Sequence, residues 1–212
     1  MAYPVEPTQF KKTTFDWDLY DRDFLFSPNG NKEYPKNHCK TTYLESIPFI
    51  NHKRNAIDIG CRDGEYTRYL HKDFEHVYCF DYRPRKLFHK NVDLSKITHF
   101  KCGLAETNKI EFVSGGSSMT SGKRPKENWH KEELFALDQF HLKNIDYIKI
   151  DVDGYELNVL KGSIETIKKW QPLIVLEEEK QQTDTIDFCA ELGYTIAAWD
   201  EHHRNVILRK TL

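Results

Sequence analysis

The stretch IDYIKIDVDGYELNVLKG, residues 145–162, constrains the fold more than any other part of the chain. Ile145, Ile148 and Ile150 form a short β-branched apolar run, the composition of a strand buried inside a parallel sheet. Asp151, Asp153 and Gly154 follow at its carboxyl end, the edge where open α/β sheets place ligand chemistry. Glu156 opens a helix predicted over residues 156–170, with Leu157, Leu160, Ile164 and Ile167 at the spacing that docks it on the sheet. Carboxylates gathered in one partly desolvated place need a facing cation. A metal ion, a substrate amine, a lysine or a sulfonium group meets that need. Asp151 and Asp153 can also serve simply as helix caps.

Upstream, NAIDIGCRDGEYTRYL (residues 55–70) reads as another strand, glycine turn and helix. Asp58, Gly60 and Gly64 make D-x-G-x-x-x-G, which lacks the middle glycine of the dinucleotide fingerprint. Gly60 permits a sharp turn close to a ligand, and Gly64 a close entry into the helix. The next strand ends in Asp81, about twenty residues beyond the turn, where an acid accepts hydrogen bonds from a ribose diol. Tyr82 is placed to cover an adenine face or to shield the sheet edge. Asp81 can alternatively cap a helix opening at Pro84.

The segments AIDIGCRDGEYT, VYCFDYRP, GGSSMTSG, IDYIKIDVDGYELNVLKG and PLIVLEEE together resemble the FkbM-type S-adenosylmethionine-dependent methyltransferases. The resemblance runs over residues 55–179 and more loosely to 209; its most specific block is K-I-D-V-D-G-x-E. Two departures stand out. Cys61, Arg62 and Asp63 replace small or amide residues after the first glycine, and Asp81-Tyr82 replaces Glu-Pro. The resemblance implies an α/β class I methyltransferase Rossmann-like fold. Its sheet is mostly parallel and seven-stranded, with one antiparallel strand in a C-terminal hairpin and helices on both faces. It also implies S-adenosylmethionine as donor, S-adenosylhomocysteine as product, and a sugar, glycan or other small-molecule hydroxyl as acceptor. On that reading Asp58, Gly60, Cys61 and Gly64 surround the methionine part, Asp81 the ribose, and Tyr82, Cys102 and Gly103 the adenine. Asp151, Asp153 and Glu156 are the expected catalytic acids. No metal belongs to the expected set, although a divalent cation is compatible with it.

Along the chain, strands are expected at residues 56–59, 77–80, 97–101, 145–150, 173–176, 194–199 and 206–209, and helices at 41–49, 65–72, 85–91, 156–170 and 183–192. Alternating strand and helix call for right-handed parallel crossovers. The link at 200–205 is too short for one, so the last two strands form a hairpin. Residues 1–54 are expected to be an aromatic-rich segment (Phe10, Phe15, Trp17, Tyr20, Phe24, Phe26) and a helix, acting as lid or self-association surface; residues 55–212 form the catalytic domain. An extra strand is expected at 110–113. It precedes a polar loop at 114–126 whose Gly115, Gly116, Ser117 and Ser118 can present amides and hydroxyls to a ligand.

A net charge of -2 and a pI near 6.6 give no basic field for nucleic acid, leaving only the local groups Lys123, Arg124, Lys126 and Arg83, Arg85, Lys86. No apolar run approaches the roughly 20 residues of a bilayer span, and the first residues lack a secretory pattern. Five cysteines without C-x-x-C spacing suit reduced thiols in the cytoplasm and no zinc site, with Cys61 and Cys102 as packing residues. A homodimer is compatible with all of this. Lys149 is expected on the opposite face from Ile148 and Ile150, paired with an acid. Glu177 is expected to line the site, with Glu178 and Glu179 solvated. His130, His141, His202 and His203 are alternative bases. Two other functions fit the same half-fold. One is an NAD-dependent oxidoreductase, disfavoured by Arg62 where a pyrophosphate needs close backbone approach. The other is a non-catalytic S-adenosylmethionine-binding module.

Overall fold

The computed structural model describes residues 2–11, 15, 38–83, 86–113, 130–178, 183–201 and 204–211. The expected loop at 114–126, with all its glycines, serines and basic residues, lies outside them. So do Trp17, Tyr20, Phe24, Phe26, Arg85, Glu179, His202, His203 and the side chain of His130.

The strands are β1 (Asn55–Ile59), β2 (His76–Phe80), β3 (Ile97–Phe100), β4 (Gly103–Leu104), β5 (Lys109–Val113), β6 (His130–Phe135), β7 (Ile145–Ile150), β8 (Leu173–Glu177), β9 (Tyr194–Trp199) and β10 (Asn205–Lys210). The helices are α1 (His38–Ser46), α2 (Thr67–Asp73), α3 (Phe88–Asn91), α4 (Glu156–Lys161), α5 (Ile164–Trp170) and α6 (Asp184–Glu191). Seven strands form one sheet in the order β3-β2-β1-β7-β8-β10-β9, and β10 runs antiparallel to both its neighbours. The chain leaves β1 towards β3 and returns on the other side at β7. The switch point therefore falls between the carboxyl ends of β1 and β7.

Strand alternation sends side chains to two apolar layers. Ile57, Ile59, Ile148, Ile150, Ile174 and Leu176 meet Val159, Leu160, Ile167 and Cys189 from α4, α5 and α6. Ala56, Val77, Cys79, Tyr147 and Val175 meet Tyr66, Tyr69 and Leu70 around α2, with Cys39 and Tyr43 from α1. All five cysteines are free and buried.

The structure departs from the sequence expectations in two places. The helix expected over 156–170 is two helices broken at Gly162 and Ser163. A Cβ on Gly162 would lie 2.0 Å from the Ala105 backbone oxygen, so the chain bends where another loop crosses it. Asp138 then caps α5, accepting from Glu165 N at 2.9 Å and Thr166 N at 2.8 Å. A small second sheet, β4-β6-β5, was only half expected: the extra strand is present as β5, and its partner β6 was not read from the sequence.

Part of the aromatic-rich first segment lies on the free edge of β3. Thr8 N donates to His99 O at 2.7 Å, Pro7 bridges to Phe100, and Phe10 stacks on Phe88 at 5.5 Å. Those contacts cover an edge that would otherwise present unpaired backbone groups. Among the described residues no helix is long and apolar enough to cross a membrane.

Candidate active site

Four strand ends supply the site. At the end of β1 the backbone turns through Gly60 (φ +84°), Arg62 (φ +47°) and Gly64 (φ +85°) into the approach to α2. Gly60 N donates to Phe80 O at 2.9 Å, and Asp151 N donates to Ile59 O at 3.0 Å, clamping the turn between β2 and β7. The approach is so close that a Cβ on Gly60 would sit 1.8 Å from Asp151 O. Gly64 meets a different requirement: its missing Cβ makes room for Val92 and Phe88, so it shapes the turn from behind rather than facing a cavity.

A first cavity, enclosing about 590 Å³ of empty space, is lined by Ile59, Gly60, Phe80, Asp81, Tyr82 and the backbone around Cys102–Leu104. Asp81 is buried there with both carboxylate oxygens engaged: Oδ2 accepts from Arg62 N at 3.0 Å and Oδ1 from Arg83 N at 2.7 Å. It ties the two loops of the cavity together. Burial pushes the Cys102 thiol up to about 12 and the Cys61 thiol well above its ordinary range, so both stay neutral. Cys61 packs in the core against Cys79 and also borders the second cavity beside it.

A second cavity of about 620 Å³ shares Gly60, Arg62, Asp151 and Asp153 with the first and adds Asp58, Glu65, Lys149, Glu177 and Arg204. Asp58 and Lys149 are register partners on β1 and β7, both buried on the same face of the sheet. Lys149 Nζ lies 3.5 Å from Asp151 Oδ2, which is the acid partner anticipated for it. Asp58 accepts from Thr67 Oγ1 at 2.5 Å, strapping β1 to the start of α2. Burial raises its pKa to about 7 against the opposing Thr67 bond and the Lys149 charge. Asp58 thus supports the turn from within.

Asp151 and Glu177, at the ends of β7 and β8, hydrogen-bond each other. Two ionised carboxylates cannot make that bond, so one proton is shared. Burial works to raise Asp151, but Lys149, the bond from Glu177 and the Arg62 charge hold it below the usual carboxylate range. Burial first, then the bond and charge of Asp151, lift Glu177 to about 7, and Arg204 reaches it at 2.9 Å. The proton therefore resides on Glu177 and the charge on Asp151. Asp153 (φ +52°) is exposed, and its carboxylate joins theirs with oxygens mutually within 4.8 Å, a spacing that also accommodates a divalent cation.

Glu156 is not in that cluster. Its buried Oε1 accepts from Val152 N at 3.0 Å and Gly154 N at 3.3 Å, closing the acidic turn on itself. Of the three acids expected to act together, Asp151 and Asp153 are grouped with Glu177, while Glu156 holds the loop. His141 is exposed in the turn before β7, away from this edge.

The methyltransferase FkbM domain family matches residues 58–203 of the chain. Among solved structures, the methyltransferase FkbM from Methylobacillus flagellatus KT superposes with a TM-score of 0.58 at 20% identity, covering 80% of this chain and 47% of that one. The chain thus spans about half the length of that protein. The precorrin-6y C5,15-methyltransferase from Geobacter metallireducens GS-15 gives a TM-score of 0.50 at 13% identity, covering 91% and 96% of the two chains. The precorrin 8w decarboxylase from Methanobacterium thermoautotrophicum gives 0.51 at 13% identity, covering 90% and 98%. No curated protein matches the chain. The solved structures show the class I methyltransferase fold, and the family match takes in all four strand ends that build the site: this chain belongs to the methyltransferase FkbM domain family.

Proposed function

We propose that the chain is an S-adenosylmethionine-dependent methyltransferase that acts on a hydroxyl of a sugar, glycan or other small polyhydroxyl molecule. The observation that carries this reading is the Asp151–Glu177 pair at the switch point, beside a cavity lined by Asp81, Tyr82 and Phe80. The residues suit the donor. Asp81 lines the cavity with a carboxylate suited to a ribose diol, apolar Ile59, Phe80 and Leu104 with Tyr82 line a seat for a base, and Gly60 brings the backbone close. When bound, the donor supplies an electrophilic methyl group on a cationic sulfur.

The protein's own part is to align the acceptor and take its proton. Asp151, charged and partly exposed, accepts the hydroxyl proton. Lys149 and Arg62 keep it ionised, and Glu177 orients it by hydrogen bonding. Transfer of labelled methyl from S-adenosylmethionine to a panel of glycans and small polyols tests the reading. Absence of any binding of S-adenosylmethionine or S-adenosylhomocysteine at millimolar concentration removes it. Tight donor binding with no transfer to any hydroxyl acceptor favours the non-catalytic module instead.

Asp81→Ala is expected to weaken donor binding by about 1–3 kcal/mol, since charge-assisted hydrogen bonds to the ribose are lost. Calorimetric titration of the folded variant measures it; unchanged affinity would confine Asp81 to holding the two loops.

Turnover is also expected to rise with pH through an apparent midpoint near 7, the value to which Glu177 is lifted. Below it, Glu177 donates its proton to Asp151 and dampens its basicity; above it, a second negative charge makes Asp151 the stronger base. Stability runs the other way: Glu177 titrates higher in the fold than its ordinary 4.5, so its contribution is lost as pH rises through about 7. Asp151, held low, contributes stability that is lost only as pH falls below its ordinary 3.8. Glu177→Gln should flatten the rise near neutrality, and a pH profile unaltered by that change would separate Glu177 from the chemistry.

A further inference from the structure

We infer that a cleft at the opposite edge of the large sheet from the acid pair binds a small organic phosphate monoester, with Arg209 as its anion contact. β1, β7, β8 and β9 begin at that edge. β10 runs antiparallel and ends there, so the last strand carries Arg209 and Lys210 to the side away from Asp151 and Glu177. The cleft holds about 650 Å³ of water-accessible space, within the range of small-molecule sites.

The carboxylate that lines the cleft is engaged from within. Asp146 is 7% exposed and accepts from Arg54 N at 2.8 Å, from Arg54 Nε at 2.9 Å and from the end of the same guanidinium. Arg209 has no such partner. Among the described residues its guanidinium makes no hydrogen bond or ion pair, and its contact is the Phe49 ring, 5.9 Å from the ring centre. An aromatic face holds a guanidinium without satisfying its N–H donors, which remain open to an oxyanion. Lys210 Nζ, donating to Leu192 O at 2.5 Å, places a second positive charge at the same edge.

The groups around Arg209 favour phosphate over carboxylate. Thr195 on β9 is its register partner, so hydroxyl and guanidinium stand side by side on one face. Gln171 and His52 also line the cleft, and their side chains, like that of Thr195, make no hydrogen bond to a described residue. A phosphate monoester offers three strong acceptor oxygens to donors from several directions, whereas one guanidinium fills a carboxylate. Trp170, its indole fixed by a 3.0 Å bond from Nε1 to Leu142 O, joins Phe49 in giving apolar surface to an organic body.

Calorimetric titration with phenyl phosphate, inorganic phosphate and benzoate tests this on the unmodified protein, Arg209→Gln and Asp81→Ala. Phenyl phosphate should bind most tightly, with inorganic phosphate weaker for want of the ring and benzoate weakest. Arg209 is exposed, so glutamine there leaves the core intact. That change should lower phenyl phosphate affinity about 10–100-fold, the scale of a charge-assisted contact. Asp81→Ala, at the other edge of the sheet, should leave it unchanged. No binding of either phosphate at millimolar concentration, or equal affinity in Arg209→Gln, overturns the site. A loss confined to Asp81→Ala also overturns it, because the probe then sits in the first cavity. Benzoate matching phenyl phosphate overturns the choice of phosphate, and inorganic phosphate matching it overturns the organic ester.

Discussion

Asp151→Asn is expected to lower turnover by about 10²–10⁴-fold, the scale of losing a general base, while donor affinity changes little. Asparagine keeps the volume and one acceptor oxygen, so the turn after β7 should survive. The structure removes the simplest competing role. α4 begins five residues later, after Tyr155, with no side-chain cap, and Glu156 rather than Asp151 satisfies the amides of Val152 and Gly154. What asparagine deletes is the charge held by Lys149 and the basicity tuned by Glu177. If Asp151, Asp153 and Glu177 hold a divalent cation instead, a chelator should reproduce the loss in the unmodified enzyme and added magnesium should restore it. A folded Asn variant that turns over like the parent would leave the site without an identified base.

Why the acid cluster was only partly legible is a matter of register. Asp151 and Asp153 announce themselves at the end of an apolar run, and strand alternation correctly set Lys149 opposite Ile148 and Ile150. Glu156 shares their local sequence, yet its side chain folds back two to four residues onto backbone amides. Glu177 is twenty-six positions from Asp151 in sequence, and what brings them together is the β7–β8 pairing of Ile150 with Leu176. Glu177 lines the second cavity as expected from its sequence, whereas Glu178 buries its carboxylate with Thr185 instead of being solvated. One signal was available: at a strand end, the first acid after the apolar run continues the alternation into the site.

The large sheet was legible because its strands are short β-branched or aromatic runs closed by Asp or Gly, and a 3.6-residue period fills the gaps between them. The break at Gly162 was not, since the helical spacing of Leu157, Leu160, Ile164 and Ile167 continues straight through it. There the Ala105 carbonyl of a distant loop passes so close that a Cβ on Gly162 would clash with it. β6 escaped for the opposite reason: HKEELF is too charged to read as a strand. It forms one because β5 and β4 flank it, with Leu134 as its buried anchor.

Gly60→Ala should be the most damaging small substitution at the site, lowering stability by about 3–5 kcal/mol and abolishing donor binding. Left-handed backbone alone costs a non-glycine residue about 1–2 kcal/mol. The rest comes from the clash: the new Cβ would lie 1.8 Å from Asp151 O, a backbone atom just past the end of β7 that no rotamer change can move. Relief requires the ends of β1 and β7 to part, which breaks the 3.0 Å bond from Asp151 N to Ile59 O and displaces Asp151 from Glu177. Gly154 isolates this cause. Its φ of +91° is close to the +84° of Gly60, yet nothing lies within 4 Å of its missing Cβ. Gly154→Ala should therefore cost only the left-handed strain of about 1–2 kcal/mol and leave donor binding intact. Urea unfolding of the two variants, followed by circular dichroism, makes the comparison. Equal midpoints would mean that backbone conformation, and not the contact between the two strand ends, is what requires glycine at the switch point.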